Sequence, residues 1–226
     1  MALTPIKVPW TKKPDRIVPI DWSNPLTEGL EHLYIATALG MFDLVEQRYI
    51  TNPAASIDDI ASENGRLIDY DGTTLEYDAI DLKDRSVCSI GYYGRIDVRT
   101  SDDRFTALGR STSSVPLYAL GIIDFGAGST SRVFFRSDTN DQEFIDSDNT
   151  KLSNPGDFAL VTSTSDGTTH KQRLNNLPIV ESAAVIPAAL TCDRIAFGGI
   201  QVSSASAQLD CSIGLAWLYT HELSEA

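Results

Sequence analysis

Short β-rich runs separated by turn-forming residues recur along most of this 226-residue chain, and they restrict its fold more than any other feature. Each run is rich in apolar, aromatic or β-branched residues. The runs cover residues 66–70, 75–81, 87–98, 115–125, 132–136, 158–163, 194–202 and 211–220. Regularly spaced short strands with turns between them are typical of a β-sandwich or barrel. We therefore predict an all-β fold.

The run at residues 211–220 shows the clearest strand pattern. Large apolar side chains alternate there with small ones, which is the period of a strand with one buried face. We predict that one face of this strand carries Ile213, Leu215, Trp217 and Tyr219, and the other Ser212, Gly214 and Ala216.

Glycine-containing dipeptides divide the runs at three places. Asp71-Gly72 and Asp166-Gly167 are predicted hairpin turns, because both residue types tolerate the backbone conformations that tight turns need. Across Gly198-Gly199 the alternation of apolar residues shifts by one position, which indicates a bulge or kink. Residues 26–49 fit either a helical face or short strands, and we expect a strand and a loop.

The chain is strongly acidic, with a formal charge of −13. Such a protein repels nucleic-acid phosphates and anionic lipids, so we expect neither nucleic-acid nor membrane partners. No apolar run approaches the roughly 20 residues that span a bilayer. The first ten residues also lack the apolar core of a secretory signal peptide. We therefore expect a soluble protein made in the cytoplasm.

Residues 1–22 differ in character from residues 23–226. Half of the chain's ten prolines fall within the first 25 residues, which excludes a regular helix or a central strand there. The first 22 residues carry a net charge of +2, and the rest of the chain carries −15. We predict an extended proline-rich N-terminal arm, residues 1–22, followed by one domain, residues 23–226.

The arm carries side chains that suit binding to another protein. Trp10 and Trp22 are predicted to be buried anchors, because tryptophan is enriched among the residues that dominate interface energies. Lys12, Lys13 and Arg16 are predicted to face an acidic surface and to steer association. The alternative is that the arm folds back on its own domain and covers an edge strand.

Four stretches of sequence occur in an order that is typical of one family. They are residues 21–30 (DWSNPLTEGL) with 43–45 (DLV), 67–72 (LIDYDG), 158–162 (FALVT) with 166–168 (DGT), and 210–226. Together they resemble the laminin-G-like, concanavalin A-like proteins encoded among the structural genes of tailed bacteriophages. The resemblance implies a jelly-roll sandwich of two antiparallel sheets.

The resemblance does not by itself imply a chemical activity, because this fold hosts lectins, glycosidases and structural modules alike. We expect a non-enzymatic phage virion protein, located in the virion, that acts through protein-protein contacts. Its role would be that of a capsid decoration or cement protein, or of a collar or fibre component. Its partners would be other copies of itself and the major capsid or other virion proteins. The alternative is a carbohydrate-binding adhesion module whose partners are glycans, or a laminarinase-like glycosidase on the same fold.

One short string looks catalytic. Residues 76–81 (EYDAID) resemble the Glu-x-Asp-x-x-Glu strand of laminarinase-type retaining glycosidases, which share this fold. Retaining enzymes hold two carboxyl groups about 5–5.5 Å apart, and Asp81 is one methylene shorter than the glutamate of that pattern. In so acidic a chain the same spacing arises on a solvated strand face. We adopt that interpretation and expect no catalytic residues.

Acidic side chains are concentrated in residues 138–149. Calcium ions prefer several oxygen ligands from one loop, which makes Asp138, Asp141, Asp146 and Asp148 a candidate calcium site. The segment lacks the glycine and the final glutamate of the helix-loop-helix calcium motif. We expect a solvated acidic hairpin and no cofactor.

The histidines and cysteines form no recognisable metal-binding motif. We expect each histidine to lie alone, at the surface or in a hydrogen bond: His32, His170 and His221. Cys192 and Cys211 lie in neighbouring candidate strands, and a disulfide between them is one possibility. Sparse cysteines in a cytoplasmic protein are more often buried thiols, which we predict for both and for Cys88.

Overall fold

The computed structural model describes residues 19–51, 58–62, 65–71, 76–82, 87–98, 104–109, 118–124, 129–136, 142–147, 156, 158–175, 178–182, 192–201, 205–206 and 210–223. In this part of the chain the regular structure consists of β-strands and one 3-10 turn at Pro25–Thr27. The prediction of an all-β fold is confirmed. No helix in the described ranges is long and apolar enough to cross a membrane.

Each of the eight predicted runs overlaps a strand, and the described part of the chain forms further strands before and between them. In the first half of the chain they are β1 (Leu30–Thr37), β2 (Gly40–Asp43), β3 (Arg48–Tyr49), β4 (Asp58–Ser62), β5 (Gly65–Asp71), β6 (Glu76–Leu82), β7 (Val87–Val98) and β8 (Arg104–Gly109). In the second half they are β9 (Tyr118–Asp124), β10 (Ser129–Arg136), β11 (Gln142–Ser147), β12 (Phe158–Asp166), β13 (His170–Leu174), β14 (Val180–Ser182), β15 (Cys192–Phe197), β16 (Ile200–Gln201), β17 (Ala205–Ser206) and β18 (Asp210–Tyr219).

Two large antiparallel sheets form a sandwich. The ten-stranded sheet has the order β14-β13-β12-β7-β18-β1-β2-β3, with β5 pairing both β18 and β4. The six-stranded sheet has the order β11-β10-β9-β8-β15-β6. Buried side chains from both sheets form one apolar core, which includes Tyr34, Ile68, Tyr70, Tyr92 and Ile213 from the first sheet and Ile80, Leu108, Ile195 and Phe197 from the second. This arrangement agrees with the predicted jelly-roll sandwich.

Strand β18 lies at the centre of the larger sheet, but its predicted faces are wrong. Ile213 is buried as expected, whereas the buried side chains of the second half are Ala216 and Leu218 rather than Leu215 and Trp217. The register against β7 shifts between Ile213 and Leu215, which is a β-bulge. Because a bulge inserts one extra residue, it exchanges the two faces of the strand beyond it.

The two predicted hairpin turns have different outcomes. Asp166-Gly167 joins β12 to β13, which pair with each other, so this prediction is confirmed. The prediction for Asp71-Gly72 is wrong, because β5 pairs with β4 and β18 whereas β6 pairs with β15 in the other sheet. The chain therefore passes from one sheet to the other between Asp71 and Glu76.

The kink predicted at Gly198-Gly199 is present. Strand β15 ends at Phe197, and the chain bends before β16, which belongs to a separate two-stranded sheet. Gly198 has a φ of 72°, and a Cβ atom there would lie 2.5 Å from the ring of Tyr70. Glycine is needed at this position both for the backbone conformation and for the space.

Residues 26–49 form strands after the 3-10 turn, as we expected. Strand β1 pairs with β18 on one side and with β2 on the other, and β2 pairs with β3. A short loop around Glu46 connects β2 to β3. These strands form one end of the larger sheet.

The predicted thiols are confirmed, and the disulfide is not formed. Cys88, Cys192 and Cys211 are buried and unoxidised. Cys192 lies on β15 of the six-stranded sheet and Cys211 on β18 of the ten-stranded sheet, so the two strands are not neighbours within one sheet.

Candidate functional site

Strand β6 carries two acidic side chains into the interior of the sandwich. Glu76 and Asp78 are completely buried, whereas Asp81 is exposed. The interpretation of residues 76–81 as a solvated strand face is therefore wrong for the first two acids. Their orientation follows from the strand period, since residues 76 and 78 share one face and residue 81 points to the other. The same geometry separates the three carboxylates of the glycosidase-like pattern.

Asp78 is held by donors from three other segments. Its Oδ1 accepts hydrogen bonds from Arg48 Nη1 at 2.7 Å, from the Thr51 backbone N–H at 2.9 Å and from Thr51 Oγ1 at 2.7 Å. Its Oδ2 accepts one from the Tyr34 hydroxyl at 3.1 Å. Asp78 therefore ties the edge of the six-stranded sheet to β1 and β3 of the larger sheet.

These hydrogen bonds, together with burial, determine the protonation states of Asp78 and Tyr34. Burial by itself would raise the pKa of Asp78, but the hydrogen bonds from Arg48 and Thr51 outweigh it, and the pKa lies below its ordinary value. The pKa of Tyr34 is raised well above its ordinary value, first by burial and then by the negative charge of Asp78. Asp78 is thus a carboxylate, and Tyr34 is a neutral donor.

Glu76 makes the second buried contact between the sheets. Its Oε2 accepts a hydrogen bond from the Tyr70 hydroxyl at 2.7 Å. Burial, together with the adjacent charge of Glu76, raises the pKa of Tyr70 well above its ordinary value. Tyr70 lies on β5 of the larger sheet, so this pair and Asp78 both join the two layers of the sandwich.

His32 belongs to the same buried region, and the prediction of a surface or hydrogen-bonded histidine is confirmed for it. Its Nδ1 is 2.6 Å from Asp43 Oδ2. Asp43 Oδ1 accepts hydrogen bonds from the backbone N–H groups of Val45 at 2.9 Å and of Leu33 at 3.3 Å. Within the DLV stretch at residues 43–45, Asp43 thus fixes the turn between β2 and β3 and orients the imidazole of His32.

His32, Asp43 and Asp78 are the side chains that come nearest to a metal-binding arrangement in the described ranges. One ligand atom from each lies within 4.8 Å of the others. The carboxylate oxygens, however, already accept the hydrogen bonds described above, and Arg48 supplies positive charge 2.7 Å from Asp78. A divalent cation would have to displace these donors. We interpret the group as a buried ionic network that fixes the edge of the sandwich.

An open cleft of about 680 Å³ lies beside this network. Its apolar lining comes from β6, β7 and β18 and consists of Ile80, Leu82, Val87 and Leu218. Its polar lining includes His32 and Arg48, and its acidic side chains are Glu31, Glu46 and Asp81, which are exposed. The cleft combines an apolar floor with an acidic rim.

The segment that leads into β1 forms a compact turn. Asp21 Oδ1 accepts hydrogen bonds from Ser23 N–H and Ser23 Oγ, and Asn24 caps the following 3-10 turn. The Tyr219 hydroxyl donates to the backbone oxygen of Leu26 at 2.9 Å, which fixes the turn to β18. The stretch at residues 21–30 therefore has a structural role at the start of the domain.

The turn leaves two large apolar side chains in solvent. Trp22 is 57% exposed and Leu26 is 70% exposed. Trp22 is one of the predicted interface residues of the arm. The other four, Trp10, Lys12, Lys13 and Arg16, lie outside the described residues.

The candidate calcium site is described only in part. Asp138, Asp141 and Asp148 lie outside the described residues. Asp146 lies in strand β11, opposite Arg132 of β10. Residues 142–147 of the acidic segment thus form a strand rather than a continuous loop.

Sequence analysis did not find Arg48 and Thr51, which hold Asp78. Both lie 27 or more positions away from Asp78 and in no motif, so only the pairing of the sheets brings them together. The burial of Glu76 and Asp78 did have a signal in the sequence. Both lie at every second position together with Ile80 and Leu82, and these four side chains share the inward face of β6.

Comparison with known proteins gives fold relatives only. No family model and no curated protein sequence matches the chain. Among solved structures, domain 4 of AbnA, a GH43 extracellular arabinanase from Geobacillus stearothermophilus in complex with arabinotriose, aligns with a TM-score of 0.66 and 12% identity. The alignment covers 86% of this chain and 94% of that domain.

Two further structures illustrate the range of proteins that share the fold. The binding domain of Paraclostridial Mosquitocidal Protein 1 aligns over 88% of this chain and 50% of its own length, with a TM-score of 0.60 and 10% identity. A sialidase of Trypanosoma rangeli aligns over 93% of this chain and 35% of its own length, with a TM-score of 0.57 and 13% identity. The chain therefore has the β-sandwich, jelly-roll-like fold that these three domains share.

Proposed function

We propose that this chain is a non-enzymatic binding module that serves as a structural protein of a tailed-bacteriophage particle. In that role it decorates or cements the capsid, or forms part of a collar or fibre, through contacts with its own copies and with other virion proteins. The order of the four family-like stretches in the sequence supports this proposal. The buried acids of β6 support a non-enzymatic role, because Asp78 and Glu76 bind structural donors inside the sandwich.

The observation that carries the proposal is the exposure of Trp22 where the arm meets the domain. Trp22 is 57% exposed and Leu26, four positions later in the same turn, is 70% exposed, so this turn presents apolar side chains that a partner can cover. Proline restricts the arm, so docking costs it little conformational entropy. Its net positive charge is opposite to that of the rest of the chain.

Deletion of residues 1–20 tests the proposal. We expect a soluble, β-rich monomer that no longer assembles or decorates particles, because Trp10 and the basic side chains of the arm are removed. Sedimentation velocity and electron microscopy of particles measure assembly, and circular dichroism measures the fold. High salt should reduce assembly of the full chain, since charge pairs at an interface rim are screened.

A matched pair of point variants separates docking from a general effect of apolar surface. Trp22→Ala should weaken assembly, whereas Leu39→Ala should not, although Leu39 is 73% exposed. If the truncated protein unfolds or aggregates and Trp10→Ala leaves assembly unchanged, the arm covers its own domain and the proposal is wrong.

A carbohydrate-binding module is the second candidate function. The alignment with almost the whole of a domain that was solved with arabinotriose favours it. A cleft with an apolar floor and polar side chains also suits a sugar. Titration calorimetry with arabinotriose and a glycan array test this candidate. Millimolar or tighter binding that is lost in Glu31→Gln, which lines the cleft, or in Tyr49→Ala or Trp22→Ala, which remove exposed aromatic rings outside it, would favour it over the structural role.

A further inference from the structure

We propose that the cleft beside the buried network receives the N-terminal arm of a second copy of this chain. This inference rests on the proposed function, since it names the surface to which the arm binds. Each copy would then give one arm and receive another. Such a head-to-tail contact builds rings or open chains of copies, rather than closed dimers with one shared patch.

Charge complementarity is the first argument. Two exposed glutamates of the cleft, Glu31 and Glu46, carry the negative charge of its rim. The basic lining residue Arg48 is already paired with Asp78 at 2.7 Å. The rim is therefore negative, and the arm supplies Lys12 and Lys13 within three positions of Trp10. Opposite charges at such a rim accelerate association and select the partner.

The apolar floor is the second argument. Ile80, Leu82 and Leu218 are each at most 8% exposed, yet they line the open cleft of about 680 Å³. This volume is typical of pockets that enclose a small-molecule ligand, and it accommodates the indole of Trp10. An aromatic anchor in a central pocket with charged residues at the rim is the usual arrangement of an interface hot spot.

The edge of β6 shows how the arm would be held. The Ala79 N–H donates to Thr51 Oγ1, and Arg48 Nη2 donates to the Ala79 carbonyl oxygen. These side chains close the edge at the position where an added strand would pair. The arm is thus expected to bind through its side chains in the cleft and not as an extra strand of the sheet.

The exposure of Trp22 favours binding between copies. If the arm turned back at once onto its own domain, its last large side chain would be covered, but Trp22 is 57% exposed. Its predicted role as an anchor then requires a surface on another molecule.

Charge exchange between the two surfaces tests the proposal with the full-length chain. One variant carries Lys12→Glu and Lys13→Glu, and the other carries Glu31→Lys and Glu46→Lys. Each alone should self-associate at least about tenfold more weakly than the wild type in low salt, because like charges then face each other. An equimolar mixture should assemble again into rings or chains in which the two variants alternate, because the exchanged arm then meets the exchanged cleft and the unchanged arm meets the unchanged cleft. Sedimentation velocity with one variant labelled measures this.

Glu181→Lys is the matched control, because Glu181 is also exposed but lies on β14 at the opposite end of the larger sheet. It should leave self-association unchanged. Circular dichroism should show the same β-rich spectrum for all variants, since every substituted domain residue is exposed.

The outcomes distinguish this inference from the proposed function. If the cleft variant assembles like the wild type while deletion of residues 1–20 abolishes assembly, the arm docks elsewhere and only this inference is wrong. If deletion of the arm leaves assembly intact, both are wrong. If the mixture stays monomeric while the single variants lose stability, the arm occupies its own cleft, which overturns binding between copies.

Discussion

The two faces of strand β6 place the same chemical group in opposite surroundings. Glu76 and Asp78 point inward and bind Tyr70, Tyr34, Arg48 and Thr51. Asp81, three positions later, points outward to the rim of the cleft. A carboxylate in the sandwich serves to join its layers, and a carboxylate at the rim is accessible to a partner. The difference comes from strand period alone.

Removal of the inner carboxylate should have the largest effect. Asp78→Ala deletes the acceptor for Arg48, Thr51 and Tyr34 and should destabilise the protein by about 2–4 kcal/mol, because the buried Tyr34 hydroxyl is left unpaired and two further hydrogen-bonded groups lose their acceptor. Asp81→Ala should change stability by less than about 0.5 kcal/mol, because the side chain is exposed. Urea unfolding measures both. Equal losses for the two variants would contradict the contrast between the faces.

The hydrogen bond to Glu76 should have the next largest effect. Tyr70→Phe leaves a buried carboxylate without its 2.7 Å donor and should cost about 1–3 kcal/mol. The matched variant Tyr49→Phe removes a hydroxyl from a residue that is 40% exposed and should be nearly neutral. Thermal unfolding followed by circular dichroism compares the two. A neutral Tyr70→Phe would show that Glu76 does not depend on this donor.

Low pH should reduce the stability that the inner face of β6 contributes more than the stability that its outer face contributes. The pKa of Asp78 is lowered in the folded protein, so the unfolded chain binds the proton more readily. The stability that this group contributes is present above the unfolded pKa near 3.8 and is lost as the pH falls through the lower folded value. Unfolding free energies measured across this range should fall less steeply for Asp78→Asn. An unchanged slope would be evidence against a charged Asp78 in the folded state.

The smallest effect concerns an acid that is fully exposed. Asp166, in the turn between β12 and β13, has a pKa of about 2, first because the backbone N–H of Thr168 donates to it and then that of Thr169. A carboxyl NMR titration should place its midpoint well below the ordinary value of 3.8. A midpoint near 3.8 would mean that the turn is open in solution. Local backbone donors can thus lower the pKa of a carboxyl group without burial.

Local pattern predicted most of the fold and little of the site. Strand β7 matches its predicted run at residues 87–98, because a long alternation of apolar and small residues has one stable arrangement in a sheet. The prediction for the two faces of β18 is wrong because the strand contains a bulge. The bulge depends on two different neighbouring strands, β5 and β1, which pair with successive halves of β18. The partners of Asp78 come from residues 34, 48 and 51, and no local spacing encodes such contacts.

The position of β18 also has a kinetic consequence. It is the last of the described strands in sequence order, yet it separates β7 from β1 and β5 at the centre of the larger sheet. During synthesis the earlier strands must wait for Asp210–Tyr219 before this sheet can close, and contacts between such distant segments form slowly. Until then the facing edges of β7 and β1 are open to pairing with other chains. A ribosome that stalls shortly before residue 210 would therefore hold a nascent chain that is prone to aggregate and dependent on chaperones.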